Sequence, residues 1–191
     1  MPTWRRWFNN REEFINSNYY KNINEFINCK ELDEILNKFN KKMLFCPHIG
    51  LLKYNDVFET KNKNVKILET KQEDIQELLI KGSVLITDFS SIHTDFAFMS
   101  KPILYYQYDK EEFRKKHIGK QASDTYFCYD TDGFGPVANS LQEILKNLEE
   151  LLKNNSKIDN KFLNRIQNFF EYFDDKNCER IYKEIIKLDE R

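Results

Sequence analysis

Between Met43 and Tyr106, short apolar runs alternate with segments of helical periodicity, and this alternation most narrows what the chain can fold into. Met43-Leu44-Phe45-Cys46 is a compact apolar run that stops at Pro47-His48-Ile49-Gly50, so it reads as a buried strand ending in a loop. Val65 to Leu68, Ser83 to Thr87 and Ile103 to Tyr106 read as further strands. Between them, Glu73 to Ile80 carries Ile75, Leu78 and Leu79 at helical spacing, and Ser91 to Met99 reads as another helix. Asp109 to His117 reads as a charged helix. Parallel strands need a crossover connection, usually a helix, so the expected fold class is α/β, a parallel sheet with helices on both faces.

The flanks extend this pattern. Met1 to Phe8, MPTWRRWF, reads as the end of a strand. Asn18 to Lys42 places Tyr19, Ile23, Phe26, Ile27, Leu32, Ile35, Leu36 and Phe39 at three- and four-residue steps, which predicts amphipathic helix with a break near Asn28. Beyond Gly119, a polar stretch from Lys120 to Gly135 reads as loop. Helical segments follow at Leu141 to Leu152, Phe162 to Phe173 and Cys178 to Leu188. With 191 residues, the chain is expected to form a single domain, 1–191, with its α/β core over about 1–118 and a loop and helices over about 119–191.

Composition removes several function classes. Thirty Lys and Arg oppose thirty-one Asp and Glu, so no positive field favours a nucleic acid, and none is expected as a partner. The four cysteines form no CxxC pair, which leaves reduced structural thiols as the reading and no metal site. No Walker-type GxxxxGK[ST], GxGxxG or HExxH occurs. No apolar run approaches the roughly twenty residues of a membrane span, and the amino terminus lacks a secretory pattern. The expected location is therefore cytoplasmic.

In open α/β sheets, ligands bind at the carboxyl ends of the strands. His48, the turn Asp88 to Ser91 and the turn Gln107 to Asp109 all fall there. Thr87, Ser90 and Ser91 put hydroxyls where a strand gives way to a helix; they suit a phosphate, or they serve only as a helix cap. Asp88 suits ordering of the loop, capping, or a ligand hydroxyl, and Asp95 is placed to brace the same turn. His48 can donate to a phosphate, stabilise transition-state charge or move a proton, or it is an ordinary loop histidine. Arg5 and Arg6 can supply charge-assisted bonds to phosphate or remain solvated. His93 reads as packing or surface.

Taken in order, these residues resemble the CDP-glycerol glycerophosphotransferase family, of the teichoic-acid primase and polymerase type. Pro2-Thr3-Trp4-Arg5 is similar to the family's P-T-[WY]-R, Pro47-His48 to its histidine loop, and Leu85-Ile86-Thr87-Asp88-Phe89-Ser90-Ser91 to its L-I-T-D-Y-S-S. Asp95-Phe96, Lys101-Pro102, Tyr106-Gln107-Tyr108-Asp109 and Gly135-Pro136-Val137 continue the match, and Asp174 to Arg180 resembles a D-G-x-A-S-x-R segment. Phe89 replaces the usual Tyr, Ile49 the second Pro of the histidine loop, and Cys46 a basic residue. Asp175, Asn177 and Cys178 alter the last segment.

The resemblance implies the carboxyl-terminal, Rossmann-like half of a GT-B fold, binding a CDP-activated donor such as CDP-glycerol or a similar CDP-polyol, with no certain cofactor. It implies transfer of a polyol phosphate to a hydroxyl of a cell-surface polymer, with CMP leaving. His48 is then the catalytic candidate; Ser90, Ser91, Arg5 and Thr87 the donor-phosphate set; and Asp88, Asp95, Asp109 and Arg180 nucleotide, polyol or loop-ordering residues. The polymer acceptor would be met through an amino-terminal domain bearing a second histidine as base. In full-length form the family reading leaves room for peripheral association with the inner face of the cell membrane. Two other readings stay open: a non-catalytic CDP-binding or regulatory module, and half of a GT-B glycosyltransferase or sugar-nucleotide epimerase.

Overall fold

A computed structural model describes residues 2–118 and 127–189, so residues 120–126 of the expected loop lie outside the described chain. The first helices are α1 (Arg11–Asn16), α2 (Asn18–Asn28) and α3 (Lys30–Lys38). Helices α2 and α3 part at Cys29, which is extended, one residue beyond the expected break. The alternating core follows as β1 (Met43–Phe45), a 3-10 helix (Ile49–Val57), β2 (Val65–Ile67), α4 (Ile75–Lys81), β3 (Leu85–Thr87), α5 (Ile92–Phe98) and β4 (Ile103–Tyr106). Then come α6 (Lys110–Phe113), a π-helical turn (Arg114–Ile118), β5 (Val137–Ala138), α7 (Leu141–Lys153), α8 (Asn160–Phe169) and α9 (Asn177–Asp189).

All strand pairs are parallel, in two groups: β1 with β2, and β3 with β4 and β5 in that order. Strand β4 is the best-covered element, with all four residues buried. Its side chains alternate between two cores. Leu104 and Tyr106 join Ile23, Phe26, Leu36, Ile144 and Leu148 on one face. Ile103 and Tyr105 join Phe96, Phe134 and Ile166 on the other. A strand buried on both faces and flanked by helices is the layering expected of a Rossmann-like α/β sheet.

Local chemistry sets the ends of the elements. Helix α7 starts at Ser140, whose hydroxyl accepts from Glu143 N–H, while the Glu143 carboxylate accepts from Asn139 N–H; Ile144, Leu145, Leu148 and Leu152 then face inward. Gly135 is required by close approach, since a Cβ there would lie 1.8 Å from the Ile103 carbonyl oxygen. That contact lets the Pro136 carbonyl accept from Tyr105 N–H and brings β5 alongside β4.

Several expectations need correction. The opening segment is not a strand end: Thr3 N–H bonds the Asp88 carboxylate, a side chain, in place of a neighbouring strand. Strand β1 is not fully buried, because Leu44 is 50% exposed. The segment after His48 is a 3-10 helix, and α1 was not expected from its sequence. The charged helix after Asp109 is α-helical only to Phe113 before widening into the π turn. Helix α8 ends at Phe169, short of Phe173.

Candidate functional site

The carboxyl ends of β1, β3 and β4 are joined by the opening segment Pro2 to Arg5. Thr3 donates to Asp88 Oδ1 twice, through its N–H and its hydroxyl, each at 2.8 Å. Trp4 packs over Gly50, where a Cβ would come within 2.9 Å of the indole and 3.2 Å of His48 Nδ1. Arg5, 0% exposed, donates Nε to Asp109 Oδ2 at 2.7 Å and Nη2 to Asp109 Oδ1 at 2.8 Å. Its Nη1 donates to the Thr3 carbonyl at 2.9 Å, and Nη2 makes an ion-pair contact with Asp88 Oδ2 at 2.8 Å, outside hydrogen-bond alignment.

This cluster is a structural clasp. Burial alone would lower the Arg5 pKa, but Asp88 and Asp109 raise it well above the ordinary guanidinium value, so the group stays charged. Burial pushes the Asp109 carboxyl up, and the bidentate bond from Arg5 opposes that push. The guanidinium also lies over the Phe113 ring at 4.6 Å and the Tyr19 ring at 4.8 Å. Gln107 donates from Nε2 to the Asp88 carbonyl at 3.1 Å, which ties the ends of β3 and β4 together. A phosphate reaches Arg5 only by displacing a carboxylate, so the side chain supports the strand ends and does not line an open cleft. Arg6, by contrast, is exposed.

His48 is half-buried, and Gly50 N–H donates to its Nδ1 at 3.0 Å. With Nδ1 accepting, the neutral ring carries its proton on Nε2. Burial lowers the His48 pKa while the Asp88 charge pulls it up, and the net shift is down. Near neutral pH the group is thus a neutral imidazole with one donor available to an anion.

Neither Ser90 nor Ser91 caps the following helix through its side chain. Ser91 stands at the N-cap of α5 with helical backbone angles, φ −60° and ψ −15°, and makes no side-chain cap bond. Among the described residues, neither serine hydroxyl has a partner; their carbonyls accept from His93 N–H and Thr94 N–H. Both hydroxyls are therefore uncommitted beside the Asp88 turn. Asp88 Oδ1 accepts from Phe89 N–H at 2.6 Å, which fixes that turn. Thr87 is buried beneath it.

The other candidates lie elsewhere. Asp95 is exposed and lines a surface groove with Phe98, Phe170 and Asn177, with no bond to the serine turn among the described residues. Arg180 bonds Asp174 and Asn177 and lies 3.7 Å over the Tyr172 ring, all within the carboxyl-terminal segment. His93 is a packing residue: its Nδ1 meets Tyr105 Oη at 2.7 Å inside a ring of Phe127, Tyr129 and Phe134. Among the described residues, no group of three or more His, Cys, Asp or Glu is placed to hold a metal. Sequence reasoning placed the Gln107 to Asp109 turn at the strand ends but missed Thr3 and Gly50 as site-forming residues. Each stands two positions from a singled-out residue, Arg5 or His48, but nothing in one sequence says that a threonine will bond a carboxylate 85 positions away.

The sequence profile of the family described as CDP-glycerol:poly(glycerophosphate) glycerophosphotransferase matches residues 1–187. This chain belongs to that family. The minor teichoic acid biosynthesis protein GgaB of Bacillus subtilis (strain 168) is 34% identical over 202 residues, covering 99% of this chain and 21% of GgaB. A teichoic acid poly(glycerol phosphate) polymerase of Bacillus spizizenii is 26% identical over 172 residues, covering 90% of this chain and 39% of that protein. The chain thus spans well under half the length of these two relatives. The solved structure of the wall teichoic acid polymerase TagF superposes with a TM-score of 0.61 at 20% identity, covering 98% of this chain and 42% of TagF. The fold is accordingly the Rossmann-like half of a GT-B architecture, and the chain's relatives are transferases of teichoic acid biosynthesis.

Proposed function

We propose that this chain is the donor-binding half of a transferase that moves glycerol phosphate, or a related polyol phosphate, from a CDP-activated donor to a hydroxyl of a cell-surface polymer. The observation that carries this reading is the uncommitted pair Ser90 and Ser91 next to Asp88, together with a His48 whose Nε2–H is left to donate and whose protonation senses the same Asp88. Neutral donors of this kind suit a diphosphate. They hold its oxygens in place and stabilise charge that grows as the bond to the leaving group stretches.

In the proposed reaction, an acceptor oxygen attacks the phosphorus that carries the polyol. The bond from that phosphorus to the bridging oxygen breaks, its electron pair leaves with CMP, and the acceptor proton passes to a base outside this chain. His48 and the two serines align the donor phosphates; Arg5, Asp88 and Asp109 hold the strand ends that carry them. CDP-glycerol is substrate, and the reading needs no resident cofactor. The acceptor polymer and the base belong to the rest of the transferase, which works at the inner face of the cell membrane without spanning it through this chain. Among the described residues, no helix is long and apolar enough to cross a membrane.

Calorimetric titration with CDP-glycerol, CMP and UDP-glucose tests this. The expected result is cytidine-selective binding, weakened about tenfold (about 1.4 kcal/mol) in Ser90→Ala/Ser91→Ala and by a similar factor in His48→Ala. Equal affinity for CDP-glycerol and UDP-glucose would overturn it in favour of a sugar-nucleotide enzyme.

A further inference from the structure

The turn that follows α6 brings a second histidine toward the strand ends. The chain is α-helical from Lys110 to Phe113 and widens into a π turn over Arg114–Ile118. Such i→i+5 turns are rare and are frequent at functional sites. This one carries His117, whose ring stacks on Phe113 with centroids 4.5 Å apart and planes 14° from parallel. Phe113 in turn stacks on Phe89 at 4.0 Å and 6°. A flat ring has two faces, so Phe113 stands between the other two rings, and Phe89 lies between Asp88 and Ser90 in the chain. The column Phe89–Phe113–His117 thus holds an imidazole one ring away from the turn that carries the serine pair.

Packing alone does not account for this side chain. Its Nδ1 is buried with no hydrogen-bond partner, whereas a phenyl ring would fill the same place without that cost. Nε2 is also unpaired among the described residues, but the ring is half-buried and this second nitrogen is not shut off from solvent. An orphaned buried N–H is rarer than an orphaned acceptor, which puts the proton of the neutral ring on Nε2. Burial lowers the His117 pKa, Arg6 and Arg5 lower it further, and the Asp88 charge opposes them without reversing the shift. The same carboxylate pulls on His48. Two neutral imidazoles, each with its N–H on Nε2, therefore adjoin the Asp88 turn. The exposed Arg6, whose charge acts on the His117 ring, favours an anion there over an uncharged group.

We propose that His117 is a further donor-binding residue, which donates from Nε2 to a phosphate oxygen of the CDP-activated donor. This rests on the donor-binding reading above and extends it. His48 comes from the loop after β1 and His117 from the turn after α6, so the diphosphate is held from two elements besides the serine turn.

Two substitutions separate a ligand contact from packing. His117→Phe keeps a flat ring for Phe113 and removes the donor; His117→Gln keeps an N–H donor near the place of Nε2 and removes the ring. Calorimetry with CDP-glycerol is run on both and on the unmodified chain, with urea midpoints to establish folding. In parallel, NMR of nitrogen-labelled histidine follows Nε2 of His117 in the unmodified chain as CDP-glycerol or cytidine is added. The expected result is an affinity for CDP-glycerol about tenfold weaker in His117→Phe and within about threefold of the unmodified chain in His117→Gln. The Nε2 signal should shift with CDP-glycerol and not with cytidine. Undiminished affinity in His117→Phe overturns the proposal, and so does an Nε2 signal that CDP-glycerol leaves in place while both variants bind weakly. In either case cytidine-selective binding that depends on Ser90 and Ser91 would leave the donor reading intact. An unmodified chain that binds no CDP-glycerol overturns both.

Discussion

At the scale of single residues, the strand-end cluster ties its charges to one another and leaves the Ser90 and Ser91 hydroxyls without a partner among the described residues. Arg5, Asp88 and Asp109 are all buried and mutually engaged. Removing one partner leaves an uncompensated charge in a poorly solvated place, which typically costs about 3–5 kcal/mol. Asp109→Asn is therefore expected to lower unfolding free energy by about 3 kcal/mol in urea titration, and Arg5→Lys to lower it substantially despite the retained charge, because the two-pronged bond to Asp109 is lost. His93 supplies a pH dependence. Tyr105 Oη accepts from Phe134 N–H and lies 2.7 Å from His93 Nδ1, which seats the imidazole inside the aromatic cluster. Burial lowers the His93 pKa from 6.5 to about 4. The unfolded chain thus binds the proton more readily, and the stability His93 contributes is full above pH 6.5 and is lost as pH falls toward 4. Between pH 7 and 5 the chain should lose about 2 kcal/mol more than His93→Phe, measured by denaturant unfolding at each pH. Equal losses would remove His93 as the source.

At the scale of elements, what was legible in the sequence was what short-range pattern controls. Strand β4 is assigned over the same residues from the sequence and from the structure, because Ile103 to Tyr106 is a bounded apolar run with no competing periodicity. The α2–α3 break and α7 were equally readable from three- and four-residue spacing. Helix α1 was missed because its six residues bury one side chain, Phe14, and leave no period to count. Its start is set instead by Asn10 and Glu13, a capping pair whose signal is short. The opening segment was misread because its partners are the Asp88 and Asp109 carboxylates, more than eighty positions away, and not an adjacent strand. At the site, the turn that carries Ser90 and Ser91 was legible as a strand-to-helix junction, but the state of the hydroxyls was not, since it depends on the helical backbone angles of Ser91. Capping chemistry gives an element-scale prediction. Ser140→Ala removes the hydroxyl that accepts from Glu143 N–H and should cost about 1 kcal/mol, seen as a lower denaturation midpoint with unchanged slope.

At the scale of the whole molecule, the two cores meet across β4, and the carboxyl-terminal helix stands apart from both. Helix α9 buries no side chain, and Ile181, Tyr182, Ile185, Ile186 and Leu188 are all exposed. Its capping contacts are local, with Arg180 held by Asp174 and Asn177. The stability of the α/β body should therefore be nearly indifferent to it. A chain ending after Lys176 is expected to unfold within about 0.5 kcal/mol of the complete chain, the range of surface changes that touch no packed feature. The same truncation separates two roles for Arg180. If donor affinity in calorimetry is unchanged, Arg180 is confined to the carboxyl-terminal segment, and the strand-end cluster binds the donor without it. If stability is unchanged but affinity falls about tenfold, the segment reaches the donor, and Arg180→Ala in the complete chain should reproduce the loss. The exposed apolar stripe of α9 carries a separate expectation: the truncated chain should self-associate no more than the complete chain at equal concentration, which sedimentation of the two side by side would register.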